Sequence, residues 1–392
     1  MQDAAKGIRF VDLEKQRSRL GTKLRERVDR VFEHGHFIMG PEVRELEKRL
    51  ADNVGVSHAI SCSSGTDALL LVLMAWGIQR GDAVFTTPFT FIATAEVIAL
   101  LGATPVFVDI DKETFNLDPA QLAYAIEAVL AKDRRKYPLP MSAHNHTYIP
   151  KVVIAVDLFG VPADYDGIHN VAAQYSLLVL EDAAQSFGSV YCNGKRCGSL
   201  GHCGATSFFP AKPLGCYGDG GAVFTDSHEW AEIIASLRIH GQGAHKYDNV
   251  RIGINGRLDT LQAAILLEKL EIFPEELKAR QKVASTYTKA LQGWVQTPKV
   301  PEGCTCTWAQ YTIRTPHRDR LQQALQAQGI PTAVYYPKPL HLQAAFASLG
   351  YREGDFPVAE EASRTALSLP MHPYLDSAQI DFIAHSVRSA LQ

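Results

Sequence analysis

No apolar stretch in this 392-residue chain is long enough to cross a bilayer. The longest, residues 68–76 and 152–156, fall far below the ~20 residues a spanning helix needs. The first ten residues are mostly polar and lack the apolar segment of a secretory signal. A soluble, cytoplasmic protein is the expectation. Basic excess is missing too: 39 Lys and Arg stand against 42 Asp and Glu, a formal charge of -3. That balance cannot neutralise a phosphate backbone, which argues against nucleic acid as a partner. The seven cysteines (62, 192, 197, 203, 216, 304 and 306) include no CxxC pair. The spacing of a metal site is therefore absent, and an odd count without a secretory signal fits reduced thiols. His144 and His146 could form a metal tract, but a solvated loop is the simpler reading.

What is present is an ordinary globular composition, 46% hydrophobic and 21% charged. The length suggests one large domain and a smaller one, because single cores stop growing near ~250–300 residues. Val43, Leu46, Leu50 and Val54 recur at helical spacing behind Pro41, so the first clear helix is predicted over 41–54. Short apolar strands (59–62, 83–86, 105–109, 152–156, 177–180) then alternate with helices (67–76, 94–101, 122–130, 167–175). That alternation implies an α/β fold with a mainly parallel sheet covered on both faces. Beyond Phe209 come a strand at 222–225 and helices over 229–240, 258–273 and 281–291. Strands at 308–314 and 333–336 and helices at 318–328 and 377–391 follow. The domain division is set at 1–272 for the large domain and 273–392 for a smaller C-terminal α/β domain. Residues 131–151 break the rhythm with several basic residues and prolines. They read as an exposed, mobile insertion, either a plain solvated loop or a basic flap near a phosphorylated substrate.

Four segments carry chemistry. Gly65-Thr66-Asp67 lies between a strand and a helix, where free amides and the Thr66 hydroxyl can hold a phosphate; an ordinary helix cap is the alternative. Asp182 follows an apolar strand, so it points into the crevice at a parallel sheet's C-terminal edge, with Gln185 three residues on. A capping box would place the same two residue types there. Lys212 sits in Ser207-Phe208-Phe209-Pro210-Ala211-Lys212-Pro213-Leu214-Gly215, an apolar surround that would depress its amine and make it a nucleophile. The alternative is a surface lysine on a loop. Phe91 follows a strand and is free either to stack on a flat ring or to join the core. A lysine amine, a carboxylate, a phosphate cradle and a flat cover are what pyridoxal 5'-phosphate (PLP) asks of a protein.

Taken in order, FIMGPEVRELE, SSGTDAL, PFTFIATAE, VDLFGVPADYDGI, EDAAQSFG, SFFPAKPLGCYGDGGA, NGRLDTLQAAIL and LSLPMHPYL resemble the DegT/DnrJ/EryC1/StrS family of sugar-nucleotide aminotransferases over nearly the whole chain. The resemblance implies PLP fold type I. It implies Lys212 as the Schiff-base lysine, Asp182 on the pyridine nitrogen, Gln185 on the ring hydroxyl and Phe91 stacked on the ring. Gly65, Thr66, Asp67 and Ser207 would hold the phosphate. Asn255 would reach it from a neighbouring subunit, making the active unit a homodimer. KPLGCYGDGG, RLDTLQAAILLEKLEIF, RQKVA and GIPTAVYYP are similar to the subgroup that aminates C3 of UDP-2-acetamido-2-deoxy-3-oxo-glucuronate, with L-glutamate as donor, for O-antigen precursors. Arg257 and Tyr335 would contact substrate, although that subgroup usually has His where Tyr335 stands and Ser where Ala211 stands. An arginine in a structural ion pair remains the other reading of Arg257. A 4-keto (dTDP- or GDP-linked) deoxysugar acceptor and a non-catalytic PLP-binding regulator are the alternative functions.

Overall fold

The first helix of the chain is one that periodicity does not announce. In the computed structural model, which describes residues 7–144 and 146–392, α1 (Leu13–His34) starts where Asp12 accepts the Lys15 amide at 3.0 Å. It bends at Gly21, whose φ is 59°, and buries only Gln16, Leu20, Leu24 and Val31. So thin an apolar stripe explains why the sequence reading began at the next helix, α2 (Pro41–Val54). That helix opens with Pro41 behind Gly40, closes on left-handed Gly55, and buries Val43, Leu46, Leu50 and Val54 as their spacing predicts.

The main sheet holds β1 (His58–Cys62), β2 (Asp82–Thr86), β3 (Thr104–Phe107), β4 (Ile149–Val156), β5 (Leu178–Asp182), β6 (Cys203–Ser207) and β7 (Gly221–Thr225). Its order is β1-β7-β6-β5-β4-β2-β3. Only β7 runs against its neighbours; the other pairings are parallel. The central strands are buried on both faces, as continuous Val/Ile/Leu/Ala runs require. The covering helices are α3 (Gly65–Ala75), α4 (Ala93–Leu100), α5 (Pro119–Ala131), α6 (Tyr165–Gln174) and α7 (His228–Leu237). The sequence reading missed β6, a five-residue strand, CGATS, whose small and polar residues carry little β signal.

Two departures concern helices and the insertion. Residues 258–291 were expected as two helices parted near Pro274. They form one helix, α8 (Thr260–Leu291), with Pro274 inside it, so the domain division at 272/273 falls within a continuous element. An internal proline costs about 3 kcal/mol. Burial of Val283, Ala284, Tyr287 and Leu291 on the far side of Pro274 outweighs it. The expected exposed insertion at 131–151 is partly core. Tyr137, Leu139 and Ala143 are buried, and the Tyr137 hydroxyl accepts the Asp109 amide at 2.9 Å. Three of its cations are occupied locally: Lys132 with Thr147, Arg134 with the Leu139 carbonyl, Arg135 with Asp133. The reading of His144 and His146 as a metal tract cannot be placed, since the His144 side chain lies outside the described residues.

The C-terminal part builds a second sheet from β8 (Tyr311–Arg314) and β9 (Ala366–Leu369), with α9 (Arg318–Ala327), α10 (Pro357–Thr365) and α11 (Ser377–Leu391) around it. The strand expected at 333–336 is reduced to a single bridge, Ala333 with Ser368.

Here a buried histidine sets a pH dependence. His372 accepts the Tyr374 amide at Nδ1 (3.3 Å) and donates from Nε2 to the Arg9 carbonyl (3.2 Å), a pattern only the neutral ring satisfies. Burial, with Arg280 nearby, pushes its pKa from 6.5 down to about 4. The unfolded chain therefore takes up a proton that the folded chain refuses. Stability present above pH 6.5 is lost as pH falls towards about 4, by about 3 kcal/mol in total. His372→Gln should flatten the acid side of a melting-temperature profile over that window; an unchanged profile would contradict the assignment.

Candidate active site

Asp182 closes β5, in register with Val156 of β4 and Ala205 of β6. Ser207 closes β6 opposite Gly221 of β7, and Gly221 also pairs with Cys62 at the end of β1. The sheet thus gathers the segments following β1, β5 and β6 at one edge. These are the segments that the sequence singled out.

At the start of α3, the Ser64 side chain accepts the Asp67 amide at 3.0 Å, and the Ser63 hydroxyl bonds the Asp67 carboxylate. Asp67 is therefore braced within the cap. The amides of Gly65 and Thr66 have no carbonyl one turn behind them in the helix, and they are the donors left for an anion. A Cβ at position 65 would stand only 2.6 Å from that of Ser207, so glycine alone lets the α3 start meet the end of β6. Two residues predicted to share a phosphate are in this way brought into contact.

Asp182 is buried, accepting the Thr94 hydroxyl at 2.8 Å and the Ala184 amide at 3.2 Å. Burial pushes its pKa up, opposed by Thr94 and by the charge of Lys212. Burial likewise pushes the Lys212 amine down, opposed by Asp182. Lys212 is only partly shielded from solvent, so the pair sits in a crevice rather than in the core. The loop carrying it is tight: the Lys212 amide donates to the Phe209 carbonyl at 2.9 Å, and the Cys216 amide to that of Phe208 at 2.7 Å. Gln185 is buried as well. Its Oε1 accepts the Phe159 amide at 2.7 Å, and its Nε2 donates to the Tyr336 hydroxyl at 3.3 Å.

The remaining predicted residues lie at the rim. Phe91 is 56% exposed, so it is not part of the core, whereas nearby Phe89 is fully buried against Phe115, Phe159 and Tyr336. Tyr335 packs between Phe10 and Tyr336. Asn255 is exposed, and the Gly256 carbonyl accepts the Ser63 amide at 3.1 Å, next to the phosphate cradle of its own chain. Arg257 keeps a buried Nε without a partner among the described residues. An amine and a carboxylate facing a crevice, beside an anion-binding helix start, fit a flat, phosphorylated, electron-withdrawing cofactor. No helix among the described residues is long and apolar enough to cross a membrane.

Residues 19–388 match the model of the DegT/DnrJ/EryC1/StrS aminotransferase family. The chain belongs to that family. It is 49% identical over 96% of its length to the UDP-2-acetamido-2-deoxy-3-oxo-D-glucuronate aminotransferase of Pseudomonas aeruginosa, covering 98% of that protein. A crystal structure of a DegT DnrJ EryC1 StrS aminotransferase from Brucella abortus superposes with a TM-score of 0.91 at 48% identity, over 98% of this chain and 99% of that one. The NtdA structure from Bacillus subtilis, solved with bound cofactor PMP, gives a TM-score of 0.84 at 26% identity, over 100% of this chain and 84% of that one.

Sequence reasoning missed two residues that touch the candidate site, Thr94 and Tyr336, which hydrogen-bond Asp182 and Gln185. Thr94 lies in the first turn of α4 and also bonds Thr90 at 3.2 Å. Its only signal was a polar hydroxyl one helical turn after Thr90 in an otherwise apolar segment. Tyr336 lies inside the phrase GIPTAVYYP, where its neighbour Tyr335 is the residue that departs from the subgroup's pattern.

Proposed function

We propose that this aminotransferase uses PLP to move the amino group of L-glutamate to C3 of UDP-2-acetamido-2-deoxy-3-oxo-glucuronate, an O-antigen precursor step in the cytoplasm. The observation that carries the proposal is the buried Asp182 carboxylate coupled to the depressed Lys212 amine beside the start of α3. When bound, the cofactor supplies an aldehyde for covalent attachment and a ring that withdraws electrons. Lys212 supplies the attaching amine and, once displaced, takes a proton at Nζ and returns it. Asp182, fixed by Thr94 and Ala184, keeps a proton on the pyridine nitrogen. Gln185 donates to the ring hydroxyl, Phe91 covers one ring face, and Gly65, Thr66 and Ser207 seat the phosphate, while Asp67, expected from the sequence to join them, instead braces the cap that holds them. In this reading the two-unit division is retained, with α8 as a strut shared by both units.

Asn255 and Arg257 act across a homodimer interface in this reading. Support comes from the apolar side chains that the single chain leaves exposed near them, Tyr247, Val250 and Ile252. Sedimentation of the protein should give twice the monomer mass; a monomer with full activity would remove the shared site. Both glutamate and a glucuronate carry a carboxylate, and the Arg257 guanidinium, whose buried Nε has no partner among the described residues, suits either. Arg257→Ala should raise KM in both half-reactions by about 10–100-fold. Unchanged KM in both would leave Arg257 a structural residue. Tyr335, at the rim, is assigned to the sugar.

The substrate is tested by converting the loaded protein with glutamate and then offering single acceptors. The 3-oxo glucuronate nucleotide should restore the starting absorbance rapidly. Faster restoration by a dTDP- or GDP-linked 4-keto deoxysugar would transfer the assignment to that acceptor. No response to glutamate would favour a non-catalytic, PLP-binding role.

A further inference from the structure

Behind the site lies a second carboxylate group that the proposed chemistry does not use. Asp157, Glu181 and the Cys197 thiol are fully buried, with one carboxyl oxygen of each acid and the thiol sulfur all within 4.8 Å of one another. Each of the four carboxyl oxygens already accepts a hydrogen bond. Asp157 takes the Ala163 amide and the Tyr165 hydroxyl on Oδ1, both at 2.9 Å, and the Ser186 hydroxyl on Oδ2 at 2.7 Å. Glu181 takes the amides of Gly198 at 2.6 Å and Leu200 at 2.7 Å. All of these donors are neutral; no lysine, arginine or histidine among the described residues contributes. The other ionisable groups around Asp157 are Tyr165, Cys197, Cys304 and Cys306, none of them a cation.

Two adjacent, buried negative charges with no cation cannot both persist. A metal ion would have to meet N–H and O–H groups already aimed at every oxygen, and burial keeps the Cys197 thiol protonated. A proton resolves the conflict without moving any donor. Three donors reach Asp157 and two reach Glu181, so the charge is better held on Asp157 and the proton on Glu181. Burial pushes both carboxyls up, as expected of a pair that cannot carry two charges.

We infer that Asp157 and Glu181 hold one proton between them and form a positioning pair for the Asp182–Gln185 turn. The connections are short. Glu181 immediately precedes Asp182 on β5. The Asp157 amide donates to the Asp182 carbonyl at 3.2 Å, and Ser186, next to Gln185, donates to the Asp157 carboxylate. The pair thus ties the end of β4 to the turn that presents both groups assigned to the pyridine ring. The positioning role rests on the function proposed above; the shared proton does not.

Infrared difference spectroscopy separates the two. In the full-length chain at neutral pH, with or without cofactor, a protonated carboxylic acid C=O band should be present and should vanish in Glu181→Gln. Absence of the band from the unmodified chain, or its survival in Glu181→Gln, would overturn the shared proton. For positioning, glutamine can still donate to Asp157 and accept one of the two backbone amides, although its NH2 group leaves the other amide without an acceptor, so Glu181→Gln should keep more kcat than Glu181→Ala. Glu181→Ala should lose on the order of tenfold to a hundredfold in kcat, with KM for glutamate little changed. Equal kcat in both variants would overturn the positioning role. An Ala variant that fails to fold, seen by circular dichroism, would be replaced by Ser186→Ala, which should lose kcat in the same direction; full kcat there would likewise overturn the role. An unmodified chain without transaminase activity would fail the functional proposal and leave the infrared result standing.

Discussion

Lys212→Ala is expected to lower turnover by on the order of 10⁴-fold or more, with the melting temperature little changed. The side chain makes no hydrogen bond or ion pair among the described residues. Its removal costs the fold little, and the backbone turn from Phe209 to Lys212 remains. What disappears is the one depressed amine beside Asp182. A neutral amine at neutral pH is needed both to attach the cofactor aldehyde and to take up a proton afterwards, and no neighbouring side chain supplies either. Lys212→Arg should be equally inactive, because a guanidinium stays charged and cannot attack. Steady-state kinetics with glutamate, paired with a thermal melt, tests this. Turnover within tenfold of the unmodified protein in both variants would contradict it.

Asp182→Asn is expected to cost on the order of 10²–10³-fold in kcat. Asparagine keeps the shape and can still accept the Ala184 amide, so the loss reports charge rather than packing. A pyridine nitrogen facing a neutral amide would lose its proton, and the ring would withdraw electrons less strongly. Thr94→Val removes one hydrogen bond to Asp182 while leaving its charge. It should cost only about tenfold, the scale of one hydrogen bond to a charged group. The ordering matters more than either value: a Thr94 effect larger than the Asp182 effect would mean that the carboxylate is structural.

The parts of this protein legible in its sequence are those where one residue type has few uses. Pro41 and Gly55 delimit α2 because proline suits a helix start and glycine a left-handed end. The alternation of apolar strands and helices gave the parallel sheet, and the position of Asp182 at a strand end placed it in the crevice. Other features depend on partners distant in sequence. α1 buries too few side chains to show a period, and α8 continues through Pro274 because the helix beyond it is buried by tertiary packing. The 131–151 segment is polar overall, yet Tyr137 and Leu139 find a core formed elsewhere in the chain. Thr94 reads as an ordinary threonine until the fold brings Asp182 within 2.8 Å of it. The Asp157–Glu181 pair is of the same kind: two acidic residues, each unremarkable in sequence, become a joint titrating group only when β4 and β5 pair.

Among the described residues two lysines have amines depressed by burial, Lys212 and Lys269, and they make the decisive comparison. Lys269 is pushed down to about 8, but it donates to the Gly215 carbonyl at 2.5 Å and lies over the Tyr217 ring, 4.1 Å from its centroid. Its amine is thereby committed to holding the loop that carries Lys212. Borohydride reduction of the PLP-loaded protein, followed by peptide mapping, should place the pyridoxyl group on the peptide containing Lys212 alone. A label on Lys269, on any other lysine, or on none would contradict the assignment on which the proposed chemistry depends.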